Sequence, residues 1–311
     1  MSEQSIGATI DMLKGMSITG VGVAARVTLA AHALNNEGSR NNALIPRQVD
    51  VVTDGDVVQS NAISGDTIKH TFVDHLRRVA QDAHASAAGS HLPICEACAR
   101  GNPNRLNDVE AFQKIAKDRA NNDAAVLTEL IQRCLIDDVA GLLVTQGNRN
   151  AARRSAAQFG WELGVPDHVR TGRYMHLKLV PGAATADSVE GSNLGQNLFT
   201  RPASTGDYAF VGQVDLARVG VNDITWKSAI SETARGYRQA AALEALFWTL
   251  AIPEGAQRNT QLPHLIAASG AVSIATSTLP PVLFSPLAPD FVEHMRAIAG
   301  AFSQNGSRVL V

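Results

Sequence analysis

The chain has 311 residues, with 27 Lys+Arg against 29 Asp+Glu and 45% hydrophobic residues. A formal charge of −2 excludes a surface coated in basic residues for non-specific nucleic-acid binding, but not a local basic groove; the hydrophobic fraction excludes a disordered chain. Three cysteines make no disulfide framework, Met1–Gly15 carries Glu3 and Asp11 and no signal-type apolar core, and the longest apolar stretch, Ala240–Ile252, is broken by Glu244. A reduced, cytoplasmic protein with no membrane contact is therefore expected, in two domains or one with large insertions.

Ser17–Leu34 reads as a long strand (Ile18, Val21, Val23, Val27, Leu29), and the polar run Asn35–Asn42 reads as a loop. Arg47–Thr53 resumes as a strand before an Asp54-Gly55 turn. Ser64 then caps a helix whose Ile68, Phe72, Leu76 and Val79 form one stripe. A further helix is expected over Val109–Cys134, within an inserted helical subdomain at 85–135, and Val139–Thr145 reads as a short buried strand. Pro181–Gly206 lacks aliphatic periodicity, which predicts a long functional loop. Asp207–Val219 is expected as a strand and Ser228–Leu250 as a helix carrying Ala234, Tyr237, Ala241, Leu246 and Trp248. Gly270–Thr278 is expected as the last core strand and Asp290–Phe302 as a terminal helix. This order suits an α+β, ferredoxin-like βαββαβ sheet with insertions.

Charge is unevenly placed. Between Gly141 and Val180 stand Arg149, Arg153, Arg154, Arg170, Arg173 and Lys178 against Glu162 and Asp167. Guanidinium and ammonium groups beside backbone donors suit phosphates, the competing reading being a solvated face. Ser64-Gly65 opens a helix with Lys69 and His70 in its first turn, a second anion-binding candidate. Cys95-Glu96-Ala97-Cys98 with Cys134 offers three zinc ligands, and His91, His75 or His70 could supply a fourth; three plain reduced thiols is the competing reading. Asp137-Asp138 reads better as capping or solvated than as a metal pair. No nucleophile elbow, zinc-protease helix, Walker loop or dinucleotide glycine fingerprint is present in the sequence.

Several ordered stretches together resemble one family. They are Arg26–Gly38, Pro46–Val49, Ala62–His70, Cys95–Cys98 with Asn104-Arg105, Gly147–Asn150 followed by Phe159-Gly160-Trp161, Asn193–Gly206 and Arg258–His264. From about Ser17 to Pro289 the chain is similar to the DevR-type Cas-seven proteins, the CRISPR-RNA-binding backbone of type I CRISPR Cascade complexes.

The resemblance implies a modified RNA-recognition-motif palm (17–84, 136–180 and 207–289), a helical finger subdomain (85–135), a thumb loop or hairpin (181–206) and a C-terminal helix (290–311). It implies a non-catalytic subunit that polymerises along CRISPR RNA and leaves guide bases free to pair with target DNA. Its partners would be further copies of itself and Cas-five, Cas-eight, small-subunit and Cas-six type Cascade proteins. No cofactor is required on this reading; zinc on Cys95, Cys98 and Cys134 would be structural. RNA contacts are expected from Arg26, from Asn35, Asn36, Ser39, Arg40, Arg47 and Gln48, and from Ser64, Gly65, Lys69 and His70. Asn148, Arg149, Asn150, Arg153 and Arg154 would join them, with Gln196 and Arg201, with Leu198 or Phe199 as the thumb's wedge, and with Arg258 and Asn259. Two other readings compete: an RNA-cleaving backbone subunit using Glu37 in the loop after the first strand, and an autoregulatory nucleic-acid-binding protein. The sequence has no helix-turn-helix signature to favour the latter.

Overall fold

A computed structural model describes residues 17–34, 36–40, 43–53, 55–83, 87–179, 196–255, 259–304 and 309–311. Strand β1 (Gly20–His32) lies between β10 (Gln196–Asp215) and β11 (His264–Ala275), antiparallel to both, with Val27 opposite Tyr208 and Ala268. The sheet continues from β10 to β9 (Glu162–Leu179), β5 (Asp56–Ile63) and β4 (Gln48–Thr53), and from β11 to β12 (Val309–Leu310). Alternation along β1 divides the layers. Val23, Ala25, Val27 and Leu29 face a large core, whereas Ala24 faces a smaller one with Phe291 and Met295 of the C-terminal helix (Phe291–Gln304).

The large core is closed by α1 (Gly65–Ala83), through Phe72 and Leu76, and by the helix Glu232–Ala251, through Ala241, Ala245 and Leu246. Between them lie α2 (Glu96–Ala99), α3 (Glu110–Lys117), α4 (Asp123–Arg133) and α5 (Leu135–Ala140), so the two later helices are α6 (Glu232–Ala251) and α7 (Phe291–Gln304). Phe112, Leu127, Leu130 and Ile131 of this helical segment enter the same core as the sheet. Among the described residues no helix is long and apolar enough to cross a membrane.

Several expected elements change. The run expected as a loop after β1 forms a hairpin of β2 (Asn36–Arg40) and β3 (Ala43–Pro46); Asn35 lies outside the described residues. The single helix at Val109–Cys134 is two, because Asn122 Oδ1 accepts from Ala125 N–H (2.9 Å) and starts a new helix. The strand expected at Val139–Thr145 shrinks to β6 (Leu142–Val144), paired with β7 (Ala151–Arg153), because Val139 and Ala140 still belong to α5. The loop expected at Pro181–Gly206 is strand from Gln196 onward, registered against β9 from Gln196–Leu179 to Gly206–Val169. β11 starts at His264, is exposed over most of its length, and is followed by β12, so Gly270–Thr278 is not the last core strand. In α6, Ala234, Ala241 and Leu246 are buried, but Tyr237 and Trp248 are 41% and 36% exposed.

Candidate nucleic-acid interface

The chain enters α1 through Ser64, whose Oγ accepts from Thr67 N–H (3.2 Å) and pairs with the Thr67 hydroxyl (2.9 Å). The expected cap is thus made. Gly65 also serves packing. A Cβ there would lie 2.8 Å from the Phe159 carbonyl oxygen and 3.1 Å from that of Gly160, so glycine lets α1 seat against the end of β8 (Ala157–Phe159).

Beside this junction opens a pocket of about 440 Å³, lined by Gly65, Asp66 and Lys69 from α1, Arg154, Ser155, Gln158, Phe159 and Trp161 from the β7–β9 segment, and Arg218. Burial, then Arg105, holds the Lys69 ammonium below the usual lysine range, with Asp66 acting against both. Arg218 is ion-paired with Asp223, whereas Arg154 is exposed. Trp161 is 42% exposed, and the Arg47 guanidinium lies 5.1 Å from its ring centroid. Cations beside an open indole suit a phosphate followed by an unstacked base. Of the residues singled out by sequence, Arg47, Gly65, Lys69 and Arg154 are brought together here. Gln158, Trp161 and Arg218 are not among the contacts expected from the sequence; Trp161 enters there only within the Phe159-Gly160-Trp161 run, although a tryptophan in a basic stretch is a usable signal.

Three other predicted contacts, Arg26, Arg149 and Arg153, are engaged in the fold. Arg153 is fully buried: it bonds Asp138 Oδ1 (2.7 Å), Asp223 Oδ2 (2.8 Å) and three backbone carbonyls, so it cannot reach RNA. Arg149 is paired with Asp123 (2.6 Å) and bonds the carbonyls of Ala116, Asp118 and Asn121, which clamps the α3–α4 turn. Neighbouring Asn148 and Asn150 are exposed. Arg26 donates to Pro286 O (2.8 Å) and Leu287 O (3.3 Å), holding the segment before α7. His70 is exposed and faces Asp74 at 3.8 Å, and Gln48 stands exposed at the start of β4. Arg201 on β10 meets Thr260 Oγ1 at 3.0 Å, beside exposed Asn259. Only the backbone is described for Asn36, Glu37, Ser39 and Arg40 on β2 and for Gln196, Leu198 and Phe199 on β10; Arg258 lies outside the described residues. Glu37 therefore sits on a strand, not in the expected loop.

The three cysteines converge, but not with a histidine. His75 Nε2 meets Ile252 O at 3.0 Å, and His91 stacks on Tyr237 at 4.9 Å. The fourth member is Asp137, and the four ligand atoms lie within 4.8 Å of one another. Asp137 and Asp138, expected to be capping or solvated, are both fully buried on α5. Asp138 pairs with Arg153 and with Arg238 (2.8 Å), while burial pushes the Asp137 carboxyl up to about 7.

A family model described as CRISPR-associated negative auto-regulator DevR/Csa2 matches residues 23–296, in agreement with the resemblance carried by the sequence motifs. No curated protein sequence matches the chain. Among solved structures, a chain of a "CRISPR RNA-guided surveillance complex, pre-nicking" is 16% identical, with 88% of this chain and 82% of that chain covered and a TM-score of 0.47. A chain of another CRISPR RNA-guided surveillance complex is 17% identical, covering 92% and 84%, with a TM-score of 0.40. Thermofilum pendens Csc2 is 11% identical, covering 94% and 78%, with a TM-score of 0.41.

Proposed function

We propose, from the premise that this chain belongs to the CRISPR-associated DevR/Csa2 family, that it is the non-catalytic backbone subunit of a type I CRISPR effector complex. Copies of it line up along CRISPR RNA, hold the phosphates and leave the guide bases free to pair with target DNA. Cas-five, Cas-eight, small-subunit and Cas-six type proteins complete the assembly. The observation that carries this reading is the convergence of Lys69, Arg154 and Arg218 beside the Arg47-capped indole of Trp161. Phosphate contacts of this kind position a strand without reading its sequence, which is what a guide-holding subunit needs. The central antiparallel strands serve as an RNA-recognition-motif palm, the helical segment 85–135 as the finger, and the far end of the β9–β10 hairpin as the thumb that displaces a nucleotide.

The test is fluorescence anisotropy of a labelled single-stranded RNA over a series of salt concentrations. Lys69→Ala with Arg154→Ala removes two phosphate contacts, and the log–log salt slope should shrink by about 1.4. An unchanged slope and affinity would remove this pocket from the RNA path.

A further inference from the structure

We propose that Cys95, Cys98, Cys134 and Asp137 form a structural zinc site in which an aspartate supplies the fourth ligand. This inference goes beyond the RNA-binding reading and does not depend on it.

Cys95 is the N-cap of α2, and its Sγ accepts from Cys98 N–H at 3.3 Å. That turn aims both sulfurs at one point, and the amide donor steadies a thiolate there. Cys134 stands at the N-terminal boundary of α5, its side chain making no cap hydrogen bond, and Asp137 follows one turn later on that helix. A zinc–sulfur distance of about 2.3 Å places tetrahedral sulfur ligands about 3.8 Å apart. Asp137 Oδ2 lies 3.5 Å from Cys98 Sγ and 4.0 Å from Cys95 Sγ, and all three thiols are free of disulfides.

A second observation is independent of the sulfurs. Asp137 is fully buried and its Oδ1 has no hydrogen-bond partner; Arg105 Nη1 stands at 4.0 Å, beyond hydrogen-bond reach. A buried carboxylate oxygen is seldom left so. A cation at the centre of the cluster, taken by the Oδ2 that faces the sulfurs, would balance three thiolates and a carboxylate that Arg105 at 4.0 Å leaves uncompensated. Soft sulfur donors in a compact tetrahedral set select zinc over calcium or magnesium. The metal would bolt α2 to the α4–α5 junction and so pin the helical segment that packs on the sheet.

The test uses the full chain. Elemental analysis of protein purified without added metal should find about one zinc per chain. Cobalt substitution should give the intense d–d bands of a tetrahedral site together with a thiolate charge-transfer band. Asp137→Asn should lose most of the zinc, and Asp137→His, which restores a ligand, should recover it and shift the cobalt bands. If Asp137→Asn is poorly soluble, the cobalt spectrum of Asp137→His still decides whether this position contributes a ligand. Protein that carries no zinc and takes up neither zinc nor cobalt would overturn the site. Full zinc content in Asp137→Asn, or an unshifted cobalt spectrum in Asp137→His, would overturn the aspartate's role.

Discussion

Along β7 alternate side chains turn inward, so Ala151 and Arg153 are buried while Arg154, one residue on, reaches solvent and the pocket. Adjacent arginines therefore have opposite uses. Arg153→Ala leaves Asp138 and Asp223 without a shared partner and should cost about 3–5 kcal/mol in denaturant unfolding. A near-neutral result would contradict the buried network. Glu162 and His32 make a second residue-scale prediction. Burial pushes the Glu162 carboxyl up to about 7 from 4.5, and holds the His32 imidazole down to about 4 from 6.5. The folded chain keeps the Glu162 proton across that window, so this group's stabilisation is lost as pH rises through about 7. His32 is disfavoured when charged, so its stabilisation is lost as pH falls from 6.5 towards 4. Over the overlap the two slopes oppose. Glu162→Gln removes the falling branch: its stability relative to the parent should climb by about 1.4 kcal/mol per pH unit between 4.5 and 7, and stay level above. Parallel unfolding profiles for the two proteins would refute this.

At the scale of elements, the junction of α1 with β8 depends on the missing side chain of Gly65. Gly65→Ala should destabilise the protein by about 1–3 kcal/mol, read as a lower denaturation midpoint at unchanged slope, because the backbone of Phe159 and Gly160 cannot move aside without displacing β8. Which elements were legible in the sequence follows from what they bury. β1 and α1 each bury a regular face, and their periodicity shows it. Toward the far half of the β9–β10 hairpin, Arg170, Arg173, Tyr174 and Met175 of β9 are exposed and the buried positions of the facing β10 stretch include Pro202 and Ser204, so no aliphatic alternation marks it and the run from 181 reads as loop. The site was legible in part for a similar reason. Residue type and charge pointed to Lys69, Arg154 and the three cysteines. Only tertiary contacts separate Arg154 from Arg149 and Arg153, or add Asp137. Read as the approach to a strand, Asp137 and Asp138 point opposite ways; on α5 both are buried, one toward the sulfurs and one toward two arginines.

At the scale of the whole molecule, a net charge of −2 coexists with a basic pocket beside one sheet edge. That distribution suits a subunit that grips an anionic strand locally while its remaining surface meets neighbouring subunits without mutual repulsion. On the function proposed above, this chain holds CRISPR RNA as part of a repeated assembly. The most direct measurement is to purify it after expression with and without its CRISPR array and partner proteins, and to read the absorbance ratio, the length of extracted nucleic acid and the particle size. RNA of one discrete length in a large complex is expected when the array and partners are present. Monomeric protein free of RNA in both preparations would contradict it.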